Sequence, residues 1–156
     1  MELFYLVGQI SPKYPITYEW RNKIEEHFKD EPEINFINPC SNKFNKKVLD
    51  ERRYAVTKDS RSFGIDLLPP KDYSFVLRSS GGVVNMNQYD PEKPLLGSFF
   101  ELAWYFVNPA KAVIAFAEDP SAYICQHPFV QQAVNVWCDN EDEAAYLIEK
   151  YFINRC

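Results

Sequence analysis

Residues 83 to 117 read VVNMNQYDPEKPLLGSFFELAWYFVNPAKAVIAFA, and the segmentation of this stretch decides the fold. Val83-Val84-Asn85-Met86 and Ala112 to Ala117 are short apolar runs of the kind that make strands buried on both faces. Between them Phe99, Leu102, Ala103 and Phe106 recur at helical spacing, which predicts a helix from Ser98 to about Val107. Strand, helix and strand in succession require a crossover and therefore parallel pairing.

The alternation continues in both directions. Leu3 to Val7, closed by Gly8, reads as a first strand, and Thr17 is the predicted N-cap of a helix whose inward positions are Trp20, Ile24 and Phe28. Asp30 and Pro32 end that helix, and Ile34 to Ile37 makes a second strand before the Asn38-Pro39 turn. Pro69-Pro70 opens a helix over Lys71 to Arg78 with Tyr73, Val76 and Leu77 as its apolar side and Gly81-Gly82 as its stop. Beyond the fourth strand, Gln126-His127-Pro128-Phe129 reads as a turn and Val134 to Trp137 as a fifth strand. Asn140 caps a last helix with a stripe of Ala144, Leu147, Ile148, Tyr151 and Phe152. The expectation is a single α/β domain over residues 1–156, three-layered and flavodoxin-like, with about five parallel strands in the order 2-1-3-4-5. Cys40 to Leu68 breaks this rhythm. It is polar, basic and weakly periodic, with one helical segment expected near Val48 to Val56, and a loop of this length suits a lid over a site.

Composition narrows the function classes. A chain of 156 residues builds one core, and a net charge of -5 argues against a nucleic-acid polymer as the main partner. Lys43, Lys46, Lys47, Arg52, Arg53, Lys58 and Arg61 form a local basic cluster that could still hold one small phosphate. No run approaches the ~20 apolar residues of a membrane span. The N-terminus reads as a strand with no basic leader, so a cytoplasmic protein is expected. Cys40, Cys125, Cys138 and Cys156 are widely spaced, and His27 and His127 are isolated, so neither a metal nor another cofactor is expected. Gly8-Gln9-Ile10-Ser11-Pro12-Lys13 is a poor phosphate cradle, which disfavours a flavin electron carrier of the same topology.

In a sheet of this order the ligand crevice opens at the carboxyl ends of the first and third strands. Tyr5 and Gly8-Gln9-Ile10 then form one wall, Asn85 to Gly97 the other, and the first turn of the Ser98 helix brings Glu101 between them. Ser98-Phe99-Phe100-Glu101 also fits a capping box, a purely structural use of the glutamate. Gly97 would let a ligand approach the backbone closely. Asn87, Gln88 or Asp90 could supply the donor and acceptor pair that recognition of a nucleobase needs.

Several separated motifs carry a family resemblance. They are Tyr5-Leu6-Val7-Gly8, Tyr18-Glu19-Trp20-Arg21, Asn38-Pro39, Asp72 followed by Ser79 and Val83-Val84-Asn85, Gly97-Ser98-Phe99-Phe100-Glu101-Leu102-Ala103, and His127-Pro128-Phe129. In this order the chain resembles the nucleoside 2-deoxyribosyltransferase-like family, which includes deoxynucleoside 5'-monophosphate N-glycosidases. The resemblance implies a retaining double displacement in which Glu101 attacks the anomeric carbon, Tyr5 directs that carboxylate, and Asp72 contacts the sugar and handles protons. Gly8, Gln9, Asn85, Asp90, Gly97 and Ser98 would line the substrate. It also implies a homo-oligomer in which His127 and Phe129 complete a neighbour's pocket. Two departures stand out: Ser79-Ser80 where the family commonly has Ser-Asp, and Gln9 where it has proline. They motivate the alternative of a nucleotide-binding module that has lost its chemistry, whereas Arg52, Arg53 and Arg61 would favour a 5'-phosphorylated substrate.

Overall fold

The computed structural model describes residues 1–41 and 68–153. Five strands, β1 (Glu2–Gly8), β2 (Ile34–Ile37), β3 (Gly81–Asn85), β4 (Ala112–Phe116) and β5 (Val136–Cys138), form one sheet in the order β2-β1-β3-β4-β5. Every pairing is parallel. The helices are α1 (Ile16–His27), α2 (Leu68–Arg78), α3 (Leu96–Phe106), the short α4 (Tyr123–Gln126) and α5 (Pro128–Ala133), and α6 (Glu141–Ile148), which runs on into a π-helical turn at Glu149–Ile153. This is the three-layer, flavodoxin-like α/β fold.

Alternation along the strands builds two cores. Phe4 and Leu6 of β1, Val83 of β3 and Ile114 and Phe116 of β4 pack with Trp20, Ile24 and Phe28 from the α1 side and Ala144 and Ile148 of α6. Tyr5 and Val7, Val84 and Met86, and Val113 and Ala115 point to the other face, against Phe75 and Val76 of α2, Leu102 and Tyr105 of α3, and Val130 of α5. Both faces of β1, β3 and β4 are thereby covered, which is why these strands read as unbroken apolar runs.

Several local expectations are corrected. Thr17 is not the N-cap of α1: the helix starts at Ile16 after Pro15, and the Thr17 hydroxyl instead accepts from the Ser11 backbone NH (3.0 Å) and donates to the Tyr14 carbonyl (2.7 Å). On α2 the buried residues are Phe75 and Val76, while Tyr73 and Leu77 are exposed. Gly81-Gly82 does not end that helix but begins β3, because only glycine fits there. A Cβ on Gly82 would lie 2.7 Å from the Tyr105 ring, and one on Gly81 would press into the Ala112 carbonyl. The Gln126 to Phe129 turn is a junction between two short helices, α4 and α5, with His127 as the N-cap of the second. Asn140 caps α6 as expected, accepting from the backbone NH of Asp142 and Glu143. The basic segment with Arg52, Arg53 and Arg61, and the helix expected near Val48 to Val56, lie outside the described residues.

Candidate active site

The helix that carries Glu101 begins at Leu96, two residues earlier than its sequence suggests. Ser98 is therefore inside α3 and no side-chain cap is made, which removes the capping-box role from Glu101. Glu101 is buried, and its Oε1 accepts a hydrogen bond from the Tyr5 hydroxyl across the gap between α3 and β1. Tyr5 is fixed in turn by an edge-on contact with Phe75 of α2, with ring centroids 5.4 Å apart.

The height of α3 over the sheet is set one turn further on. Tyr105, on the same face as Glu101 at i+4, lies against Gly82 and donates to the Gly81 carbonyl at 3.1 Å, with the Ser79 hydroxyl 2.8 Å away. These contacts bring a carboxylate and a phenol, distant in sequence, into one buried site.

Charge at this site is crowded. Burial is the main cause that pushes the Glu101 carboxyl up to about 8; the negative charge of Asp72 pushes the same way, while the Tyr5 hydrogen bond, Arg21 and Lys71 oppose it. Asp72 is also raised, first by burial and against the pull of Lys71. Tyr5 is held well above its ordinary value by burial and by Glu101, so its hydroxyl remains a donor. Two carboxyl groups with raised proton affinity beside a committed donor can supply a nucleophile and a proton carrier.

Arg21 underlies this arrangement. Its guanidinium is fully buried at the end of β1, donating to the carbonyls of Leu6 (3.2 Å), Gly8 (2.9 Å) and Gln9 (3.4 Å) and to that of Thr17. The turn after β1 is thus wrapped around a cation. Gly8 permits a close approach there, since a Cβ would crowd Asn85 Cβ at 3.1 Å and Trp20 at 3.3 Å.

The remaining expected substrate residues have structural partners of their own. Gln9 ties the turn after β1 to the 90–93 turn: its Oε1 accepts from the Asp90 backbone NH at 2.7 Å, and its Nε2 donates to the carbonyls of Asp90 (3.0 Å) and Lys93 (2.6 Å). Asp90 is buried and accepts from the Ser11 hydroxyl (2.7 Å) and the Glu92 backbone NH (3.1 Å), and the Ser11 bond is the first cause that holds its carboxyl below the usual range. Asn85, at the end of β3, accepts from the Asn87 backbone NH at 2.9 Å and shapes the following loop. Gly97 faces open space, with nothing within 4 Å of where a Cβ would stand. Ser98 is buried.

His127 and Phe129 do not join this cluster. They line a separate apolar groove of about 750 Å³ with Phe99, Ala103, Phe106 and Tyr123, and neither Tyr5, Asp72 nor Glu101 contributes to its walls. Residues two apart on a helix point in nearly opposite directions, so Phe99 and Ala103 face away from Glu101 across α3. Sequence reading passed over Lys71 and gave Arg21 no role. The signal for Arg21 was present, because it falls within the inward stripe of Thr17, Trp20 and Ile24.

No family model matches the sequence, and no curated protein does. Among solved structures, the crystal structure of a conserved protein from Enterococcus faecalis V583 is similar, with a TM-score of 0.62 at 13% sequence identity over 96% of this chain and 98% of that one. At this identity the likeness establishes a shared fold and nothing narrower.

Proposed function

We propose that the protein cleaves the N-glycosidic bond of a 2'-deoxynucleoside or its 5'-monophosphate through a covalent deoxyribosyl ester on Glu101. The observation that carries this reading is the Tyr5 hydrogen bond to a buried Glu101, beside which Asp72 adds a second negative charge. An ionised Glu101 oxygen attacks C1' as the bond to the base nitrogen breaks, and the departing electron pair takes a proton from Asp72. Water, or the nitrogen of a second base, then attacks C1'; the ester bond breaks, Glu101 recovers its carboxylate, and Asp72 takes the proton. Burial suits the step, since the developing oxocarbenium charge is stabilised by a carboxylate in a medium that screens little. Gln9 and Ser80, the departures that would favour a binding module without chemistry, are occupied outside the cluster: Ser80 Oγ accepts from the Leu3 backbone NH and Gln9 holds the 90–93 turn. Nucleotide metabolism would place such an enzyme in the cytoplasm.

The test is mass spectrometry of the intact protein mixed with a panel of deoxynucleosides and their monophosphates, with chromatography of the released base. A deoxyribosyl adduct localised to Glu101 is expected, and absence of both adduct and free base across the panel would remove the proposal. Addition of a second free base separates transfer from hydrolysis.

The reading extends to a homo-oligomer. Phe106, Tyr123 and Phe129 are 53%, 81% and 78% exposed around the apolar groove, a patch of the kind that a second copy covers. Phe129→Glu is expected to reduce the particle to a monomer in sedimentation experiments and to impair base release. An unchanged sedimentation coefficient would detach this patch from assembly.

A further inference from the structure

Lys71 occupies a position that local physics disfavours. It lies in the first turn of α2, where the helix dipole favours anions, and neighbouring side chains at i and i+1 do not ordinarily face one another. An exposed lysine there would extend into water. Instead only 26% of its side chain is exposed, its Nζ stands over the Phe75 ring at 5.4 Å from the centroid, and Nζ folds back to 3.5 Å from Asp72 Oδ1. That Asp72 oxygen is itself buried and has no close hydrogen-bond donor, so the ammonium stands where a carboxylate oxygen has lost water. Phe75, the ring beneath the ammonium, also meets Tyr5 edge-on, so one aromatic pair joins the Lys71 ammonium to the Tyr5 and Glu101 pair.

We propose that Lys71 is a positioning residue of this site, the counter-charge that holds Asp72 in place and offsets the two carboxylates so that Glu101 ionises for attack. This rests on the glycosidic reading of Glu101 given above. The charged and titratable groups acting on Glu101 among the described residues are Tyr5 from β1, Arg21 from α1, Lys71 and Asp72 from α2, and Tyr105 on its own helix. Of the two cations, Arg21 is already engaged by four backbone carbonyls, whereas Lys71 is turned toward a carboxylate. Burial lowers the Lys71 ammonium while Asp72 and Glu101 support its charged form, as expected of a cation held between anions.

The experiment compares wild type, Lys71→Met, Lys71→Gln and Lys71→Arg, each checked for folding by circular dichroism. The kcat/KM for base release from the most active deoxynucleoside monophosphate is followed against pH. In both neutral variants the acidic limb is expected to move up by one pH unit or more, a loss of about tenfold at neutral pH, with Lys71→Arg restoring it. A limb that stays in place in folded Lys71→Met and Lys71→Gln would overturn the proposal. A second readout does not depend on turnover. Carbon-13 carboxyl NMR titration, with Glu101 assigned by its loss in Glu101→Gln, should give higher midpoints for Glu101 and Asp72 in Lys71→Met than in wild type. Unchanged midpoints would overturn the role of Lys71. Shifted midpoints in a wild-type protein that releases no base would leave the counter-charge standing and the glycosidic chemistry refuted.

Discussion

Glu101→Gln is expected to abolish base release, by on the order of 10⁴-fold or more, and at the same time to make the protein more resistant to urea above pH 8. On the proposed mechanism, the first effect follows from the loss of the attacking oxygen. The second follows from linkage. A glutamate with an unfolded value near ~4.3 is pushed up to about 8 in the fold. The fold therefore prefers the protonated side chain. Its contribution to stability is complete below the unfolded value and is lost as pH rises through about 8. Wild type forfeits on the order of a few kcal/mol over that window, at roughly 1.4 kcal/mol for each unit of displacement. Glutamine cannot ionise and forfeits nothing. Urea unfolding at about pH 4, about pH 5.5 and about pH 8.5 should show the two proteins closest together at the lowest pH, below the unfolded value, with the variant increasingly ahead as pH rises. If the gap does not widen with pH, Glu101 is not the strained acid described above.

Arg21→Met is expected to be the most damaging single change to the fold. It withdraws the donors from the carbonyls of Leu6, Gly8 and Gln9, and leaves Thr17 O with the Trp20 indole as its remaining side-chain donor. Buried acceptors that lose their donors cost about 1–3 kcal/mol each, so a total above about 4 kcal/mol is expected, a large part of the usual ~5–15 kcal/mol of a domain. Lysine keeps the charge but not the planar fork, and should fall between. Thermal melts of the three proteins decide the matter: a methionine variant within about 1 kcal/mol of wild type would mean that the carbonyls find other partners.

The sheet was legible because its strands are short apolar runs separated by helical repeats, and a right-handed crossover leaves little choice of topology. The Glu101 neighbourhood was legible too, through its glycine, serine and glutamate spacing, although the helix start was misplaced. Ser98 has the chemistry of a cap, but α3 begins at Leu96, directly after the loop that Gln9 anchors at Asp90 and Lys93. Gly81-Gly82 misled for a related reason. Glycine marks a turn in sequence, yet here it answers to the Tyr105 ring and the Ala112 carbonyl, atoms supplied by segments more than twenty residues away. Lys71 was opaque because a cation's default is to reach water, and the same default hid what the inward position of Arg21 in α1 already signalled. Only the assembled site reveals carbonyls or a carboxylate in the way.

The amide of Gln9 fastens the turn after β1 to the 90–93 turn through three hydrogen bonds. Its length therefore acts as a gauge block, one side chain presetting the distance between two turns more than eighty residues apart in sequence. An asparagine in its place would be one methylene short and would not reach both turns at the spacing they keep.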